Sequence, residues 1–142
     1  MSYGFGAESR FNLESVDKRL VRVLYHALSY GLADWSIIKG YRGKVEQDQA
    51  YLAGNSHAKW PDSKHNSNPS LAIDFIPFPF RGWDAKCDFV FVAAVILSAA
   101  KTLEVPCKWG GNWNKNNLIM EDKNWEIDLG HIELIEEIND GS

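Results

Sequence analysis

The sequence predicts an α+β fold: one small domain whose helices pack on an antiparallel sheet. Three observations lead there. An amphipathic helical stripe stands near the start, and a more uniformly apolar helical stretch runs from about Asp84 to Leu103. Short segments with two-residue alternation lie between and after them, as Leu71 to Ile76 does. Helices and strands do not alternate strictly, and several strands follow one another late, which disfavours a doubly wound parallel sheet.

The elements follow in order. The first helix is expected from Asn12 to Tyr30. Asn12 suits an N-cap, Leu13, Val16, Leu20, Val23, Leu24, Ala27 and Leu28 form one stripe, and Gly31 ends it. Trp35 to Ile38 reads as a short strand leading into Gly40-Tyr41-Arg42-Gly43. A helix from Lys44 to Ala53 stops at Gly54, and a polar loop rich in Asn, Ser, Lys and Pro continues to Pro69. In the strand Leu71 to Ile76, alternation points Leu71, Ile73 and Phe75 one way and Ala72, Asp74 and Ile76 the other. Pro77 and Pro79 end it. The helix from Asp84 to Leu103 is apolar nearly all round and is expected to be the central buried one. Cys107 to Trp109 and His131 to Leu134 are the last strands, and Trp113 to Lys123 has no clear pattern.

Composition narrows the class. The 142 residues are enough for one domain with its own core. With 45% apolar and 24% charged residues, the chain reads as globular. A net charge of −4 gives no reason to expect nucleic acid or an anionic membrane as partner. The longest apolar run, Phe89 to Ala100, is too short to insert into a membrane. The N-terminus lacks the basic start and apolar run of a signal peptide. Cys87 and Cys107 do not have metal-knuckle or redox spacing, and both are expected to be buried free thiols. A monomer is expected.

Chemistry concentrates in three fragments: Ser63-Lys64-His65, Ala72-Ile73-Asp74 and Asp128-Leu129-Gly130-His131. Two histidines and two carboxylates there sit in short, apolar-flanked segments, where unpaired charge is expensive. A divalent metal removes that cost. Two His and one Asp form a familiar shell for catalytic zinc, with the fourth position left to water. The second carboxylate is then free to move protons. Gly130 permits a bend that brings Asp128 and His131 toward one point. Glu133 shares a face with His131 and is a rival ligand, read as a supporting or surface residue; Glu126 is a rival base. Arg42, at a strand-to-helix turn, has the planar fork of donors that grips a carboxylate or an oxyanion. Trp109 and Trp113, around Gly110-Gly111, can wall a substrate cleft or cap a core turn. His26 reads as a packing histidine at a helix boundary and His57 as an exposed loop residue.

Taken together, Gly40-Tyr41-Arg42 with Glu46-Gln47, Ser63-x-His65, Ala72-x-Asp74, Trp109-Gly110-Gly111-x-Trp113 and Asp128-x-Gly130-His131-x-Glu133-Leu134 resemble the zinc peptidases of the D-Ala-D-Ala-peptidase and hedgehog group. Within that group they look most like phage endolysins of the L-alanyl-D-glutamate peptidase type. The resemblance covers nearly the whole chain, in order. It implies one zinc per chain held by His65, Asp74 and His131, with Asp128 as general base. Arg42 matches an arginine that stabilises the oxyanion or binds substrate, and Ser63 a serine beside the first ligand. The spacing from His65 to Asp74 is longer than in many members, and the excess falls in the turn-forming stretch Asn66 to Ser70.

The implied function is cleavage of the L-Ala–D-Glu bond of the peptidoglycan stem peptide during host lysis. Residues 1–142 would then be a single catalytic domain without a separate wall-binding domain. Such an enzyme collects in the host cytoplasm until a holin releases it to the wall. A D-Ala-D-Ala carboxypeptidase or dipeptidase on the same site is the alternative chemistry. A non-catalytic module whose structural zinc is closed by Glu133 or His57 is the alternative class.

Overall fold

The computed structural model describes residues 3–112 and 128–136. Four α-helices and four strands are formed by these residues: α1 Ala7–Leu13, α2 Lys18–Ser29, β1 Trp35–Lys39, α3 Lys44–Leu52, β2 Ala72–Pro77, α4 Lys86–Thr102, β3 Cys107–Trp109 and β4 His131–Leu134. A 3₁₀ turn, Lys64–Asn66, precedes β2. The strands make one antiparallel sheet in the order β1-β2-β4-β3. The expected α+β class and every expected strand are present.

The single helix expected from Asn12 to Tyr30 is two helices. Asp17 interrupts it as the N-cap of α2, accepting the Arg19 N–H at 2.9 Å. The break is then stitched to the loop before β2. Asp17 N–H donates to the Ser70 carbonyl and Ser70 N–H donates to the Ser15 carbonyl, each at 2.8 Å. Asn12 lies inside α1, where its amide donates to the Ile37 carbonyl at 2.8 Å and ties α1 to β1.

The sheet has two chemically different faces. Trp35, Ile37, Ile73, Phe75, Trp109, Ile132 and Leu134 point into the core, where α4 packs on β2 and β3, α1 on β1, and α2 on α4. Asp74, His131 and Glu133 alternate with them and point away, as the two-residue period requires. In α2, Leu20, Val23, Leu24, Ala27 and Leu28 are buried, as their spacing predicts.

Helix α4 is not buried all round. Phe89, Val92, Ala93, Ile96, Ala99 and Ala100 face the core, while Cys87, Phe91, Ala94 and Ser98 are exposed. Ala and Ser are small enough to leave in water at little cost, so an apolar composition did not require a central position. Both cysteines are free, as expected, but Cys87 is exposed and Cys107 only half-buried.

Candidate metal centre and its cleft

His65 is fixed by its own turn. Ser63 Oγ accepts the His65 N–H at 3.2 Å, and Asn66 Oδ1 accepts the Ser63 N–H at 3.0 Å, forming a capping box. The residue is 3% exposed, so it is no solvated loop histidine. Its Nδ1 lies 2.8 Å from the Gly40 carbonyl. A carbonyl only accepts, so Nδ1 carries the proton and Nε2 is left to face Asp74 Oδ1 at 3.2 Å. Gly40 can present that carbonyl because it lacks a side chain: a Cβ there would stand 2.5 Å from the Asn12 carbonyl oxygen and 2.7 Å from Ser15 Oγ.

Asp74 and His131 are direct cross-strand partners on β2 and β4. Residues so paired share a face with their Cβ atoms about 5 Å apart. His131 Nδ1 lies 3.3 Å from Asp74 Oδ1, and its Nε2 donates to Glu133 Oε1 at 2.9 Å. One ligand atom from each of His65, Asp74 and His131 therefore falls within 4.8 Å of the others. The far nitrogen of each imidazole is tied to an acceptor, which fixes ring orientation as metal-bound histidines require. Glu133 reaches His131 at Nε2, on the side away from Asp74, and serves as that acceptor.

Carboxylates flank both buried imidazoles. Burial pushes the Asp74 carboxyl up, but the two histidines outweigh it and hold it well below the usual carboxylate range. Burial likewise pushes Glu133 up, and its hydrogen bond to His131 holds it below the ordinary value. For His131, burial favours the neutral ring, yet the bonds to Asp74 and Glu133 raise it to about 10. Without metal, a proton on His131 thus balances its two carboxylate neighbours. Two nitrogens and one carboxylate, oriented from behind, are a donor set that suits zinc and leaves a coordination position open.

Asp128 joins from a β-turn. His131 N–H donates to the Asp128 carbonyl at 3.2 Å, so residues three apart fold back to the same side. Asp128 Oδ2 stands 3.6 Å from His131 Nδ1, and 47% of its side chain is exposed to the cleft. Partial withdrawal from water pushes this carboxyl up; His131 pulls it down and Asp74 adds to the rise, for a net upward shift. The part of Gly130 is room rather than an unusual backbone: a Cβ would run into the Phe75 carbonyl.

Arg42 lies beside the same group. Its Nη2 is 3.5 Å from Asp74 Oδ2 and its Nη1 donates to Gln47 Oε1 at 3.2 Å. Its backbone N–H donates to the His65 carbonyl at 2.8 Å, which couples the two segments. Arg42, His65, Asp74, Asp128, His131 and Glu133 line a cleft of about 910 Å³, together with the loop from Gly54 to Ala58. His57 is exposed in that loop, and His26 is half-buried with its ring edge-on to Tyr30.

The remaining sequence candidates divide. Ser63 lines the cleft, but its hydroxyl is engaged in capping the His65 turn. Trp109 is not a cleft wall. It is 1% exposed, and its indole N–H donates to the Leu129 carbonyl at 2.6 Å, bracing the Asp128 turn from the core side. Trp113 and Glu126 lie outside the described residues. Sequence reasoning gave no role to Gln47 or Asn66, both buried beside Arg42 and His65. One signal was available: α3 has no inward apolar stripe, its Val45 and Leu52 are 71% and 83% exposed, and its buried residue is Gln47.

The chain is also similar to known proteins. A family model described as phage L-alanyl-D-glutamate peptidase matches residues 1–135. The L-alanyl-D-glutamate peptidase of Escherichia phage T5 is 31% identical over 140 residues, covering 95% of this chain and 100% of that protein. Among solved structures, the L-Ala D-Glu endopeptidase ChiX of Serratia marcescens matches with a TM-score of 0.72 at 26% identity, over 93% of this chain and 90% of that one.

Proposed function

This chain belongs to the phage L-alanyl-D-glutamate peptidase family, and on that premise we propose that it is a zinc-dependent endopeptidase cutting the L-Ala–D-Glu bond of peptidoglycan stem peptides during host lysis. The observation that carries the zinc reading is the convergence of His65 Nε2, Asp74 Oδ1 and His131 Nδ1 at the floor of an open cleft, with Asp128 at its edge. Those three residues would hold the zinc, and the Lewis acidity it would supply is what makes a water nucleophilic near neutral pH.

The chain's own residues carry the rest. Asp128, exposed to the cleft, accepts the proton of the attacking water at its carboxylate and delivers it to the departing amine of D-Glu. The Arg42 guanidinium, at the rim of the ligand group, faces the oxyanion; one such stabiliser is typically worth about 3 kcal/mol in the barrier. Glu133 and the Gly40 carbonyl hold the two imidazoles in the tautomers that ligation needs. Ser63 acts as the cap that places His65 and as part of the cleft surface.

The same reading has the enzyme act on peptidoglycan as a monomer and be stored in the host cytoplasm until release. Among the described residues no helix is long and apolar enough to cross a membrane. The deciding experiment digests purified Gram-negative peptidoglycan, with and without a chelator, and labels the new amino termini. D-Glu at the new terminus, lost with chelator and regained with zinc, is the expected result. Release of free D-Ala instead makes the enzyme a carboxypeptidase.

A further inference from the structure

Gln47 lies within α3, is 0% exposed, and touches Arg42 and the Ser56–Ala58 loop, which line the cleft, and Asn66 in the buried turn of His65. Its Oε1 accepts from Arg42 Nη1 at 3.2 Å and from Asn66 Nδ2 at 3.1 Å. Its Nε2 donates to the Ala58 carbonyl at 2.7 Å and to Ser56 Oγ at 3.0 Å. Asn66 carries the link onward: its Nδ2 also donates to the Arg42 carbonyl at 3.0 Å, and its Oδ1 accepts the Ser63 N–H that closes the His65 turn. The Ala58 carbonyl can only accept and the guanidinium can only donate, so the amide has a single allowed orientation. Only a side chain with an acceptor at one end and a donor at the other satisfies both partners. A helix position facing inward is normally apolar. The helix here buries an amide instead, with every hydrogen-bonding atom used.

We propose that Gln47 is a positioning residue for the peptidase reaction, holding the Arg42 guanidinium with its carbonyl end and the substrate-facing loop Ser56–Ala58 with its amino end. The proposal rests on the endopeptidase function given above. The two ends serve different steps. The carbonyl end fixes where the guanidinium fork points, and so acts on the transition state. The amino end fixes the height of the cleft wall, and so acts on substrate binding.

Steady-state kinetics on a soluble stem-peptide substrate separate the two, using the zinc-loaded full chain. Gln47→Leu removes both ends at similar volume and is expected to lower kcat about tenfold and raise KM several-fold, the scale of losing a hydrogen bond to a charged group. Gln47→Glu keeps an acceptor for Arg42 but sets a carboxylate against the Ala58 carbonyl. It is expected to return kcat to within about threefold of wild type while KM stays high. Ser56→Ala, which touches only the amino end, is expected to raise KM alone. An independent readout is the side-chain nitrogen resonance of Arg42, assigned by its disappearance in Arg42→Lys. The guanidinium is expected to rotate slowly in wild type and Gln47→Glu, and freely in Gln47→Leu.

If Gln47→Leu fails to fold, the Gln47→Glu and Ser56→Ala proteins decide the matter by the same split. The proposal is overturned if folded variants keep both constants within about twofold of wild type, or if kcat and KM move together in Gln47→Glu. Inactive wild-type protein would instead overturn the proposed function and is seen in the same assay.

Discussion

Asp128 and His131 are neighbours in one turn, yet substitution should affect them in opposite ways. Asp128 Oδ2 stands 3.6 Å from His131 Nδ1 with nearly half its side chain in the cleft, outside the His65–Asp74–His131 group. Asp128→Asn preserves shape and removes the ability to accept a proton. Zinc content by elemental analysis and melting temperature should stay at wild-type levels, while peptidoglycan hydrolysis falls by about 10²–10⁴. Loss of zinc in this variant would instead make Asp128 a ligand. His131 supports a second expectation, about protons. In the metal-free protein its folded-state value is raised to about 10 by Asp74 and Glu133, against burial. At pH 7 the ring is therefore protonated, and zinc at the proposed site would displace a proton from Nδ1. Binding should release protons at pH 7, and apparent affinity should weaken as pH falls. Titration calorimetry in buffers of different ionisation enthalpy measures the release; heats independent of buffer would contradict it.

At the level of elements, the site is the product of two strands and two turns, and its legibility in the sequence followed from that. Alternation alone put His131 and Glu133 on one side of β4 and Ile132 and Leu134 on the other, and it did the same for Asp74 in β2. The helix break at Asp17 was hidden because Val16 remains buried and keeps the apolar period running through it. What ends the helix is a contact with Ser70, far along the chain, which local periodicity cannot register. Gln47 stood in the sequence motif, but its role was not legible: a polar side chain inside a polar helix looks like surface until its partners are in place. The turn before β4 offers a test. In Gly130→Ala the new methyl meets the Phe75 carbonyl. Backbone has little freedom to yield there, so a loss of about 1–3 kcal/mol in stability is expected, as for overpacked interiors. Chemical denaturation measures that loss, and zinc affinity should weaken with it because His131 is the next residue. A variant as stable as wild type would mean that the turn relaxes freely.

For the molecule as a whole, a metal at the proposed site would tie together a turn, β2 and β4, which are widely separated along the chain. Metal that binds only the folded state adds stability by mass action, about 2.7 kcal/mol when free zinc is a hundredfold above its dissociation constant. Chelation should therefore lower the melting temperature, and zinc should restore it in a concentration-dependent way. A melting temperature indifferent to chelator would argue that the site is empty in solution. The two-faced sheet has a further consequence, for quality control. Sliding β4 by one residue against β2 would turn His131 and Glu133 into the core and push Ile132 and Leu134 into the cleft. A one-residue slip therefore spoils the chemistry and the packing together. Turnover per molecule thus doubles as a proofreading signal for strand alignment, and a misaligned chain reports itself by silence.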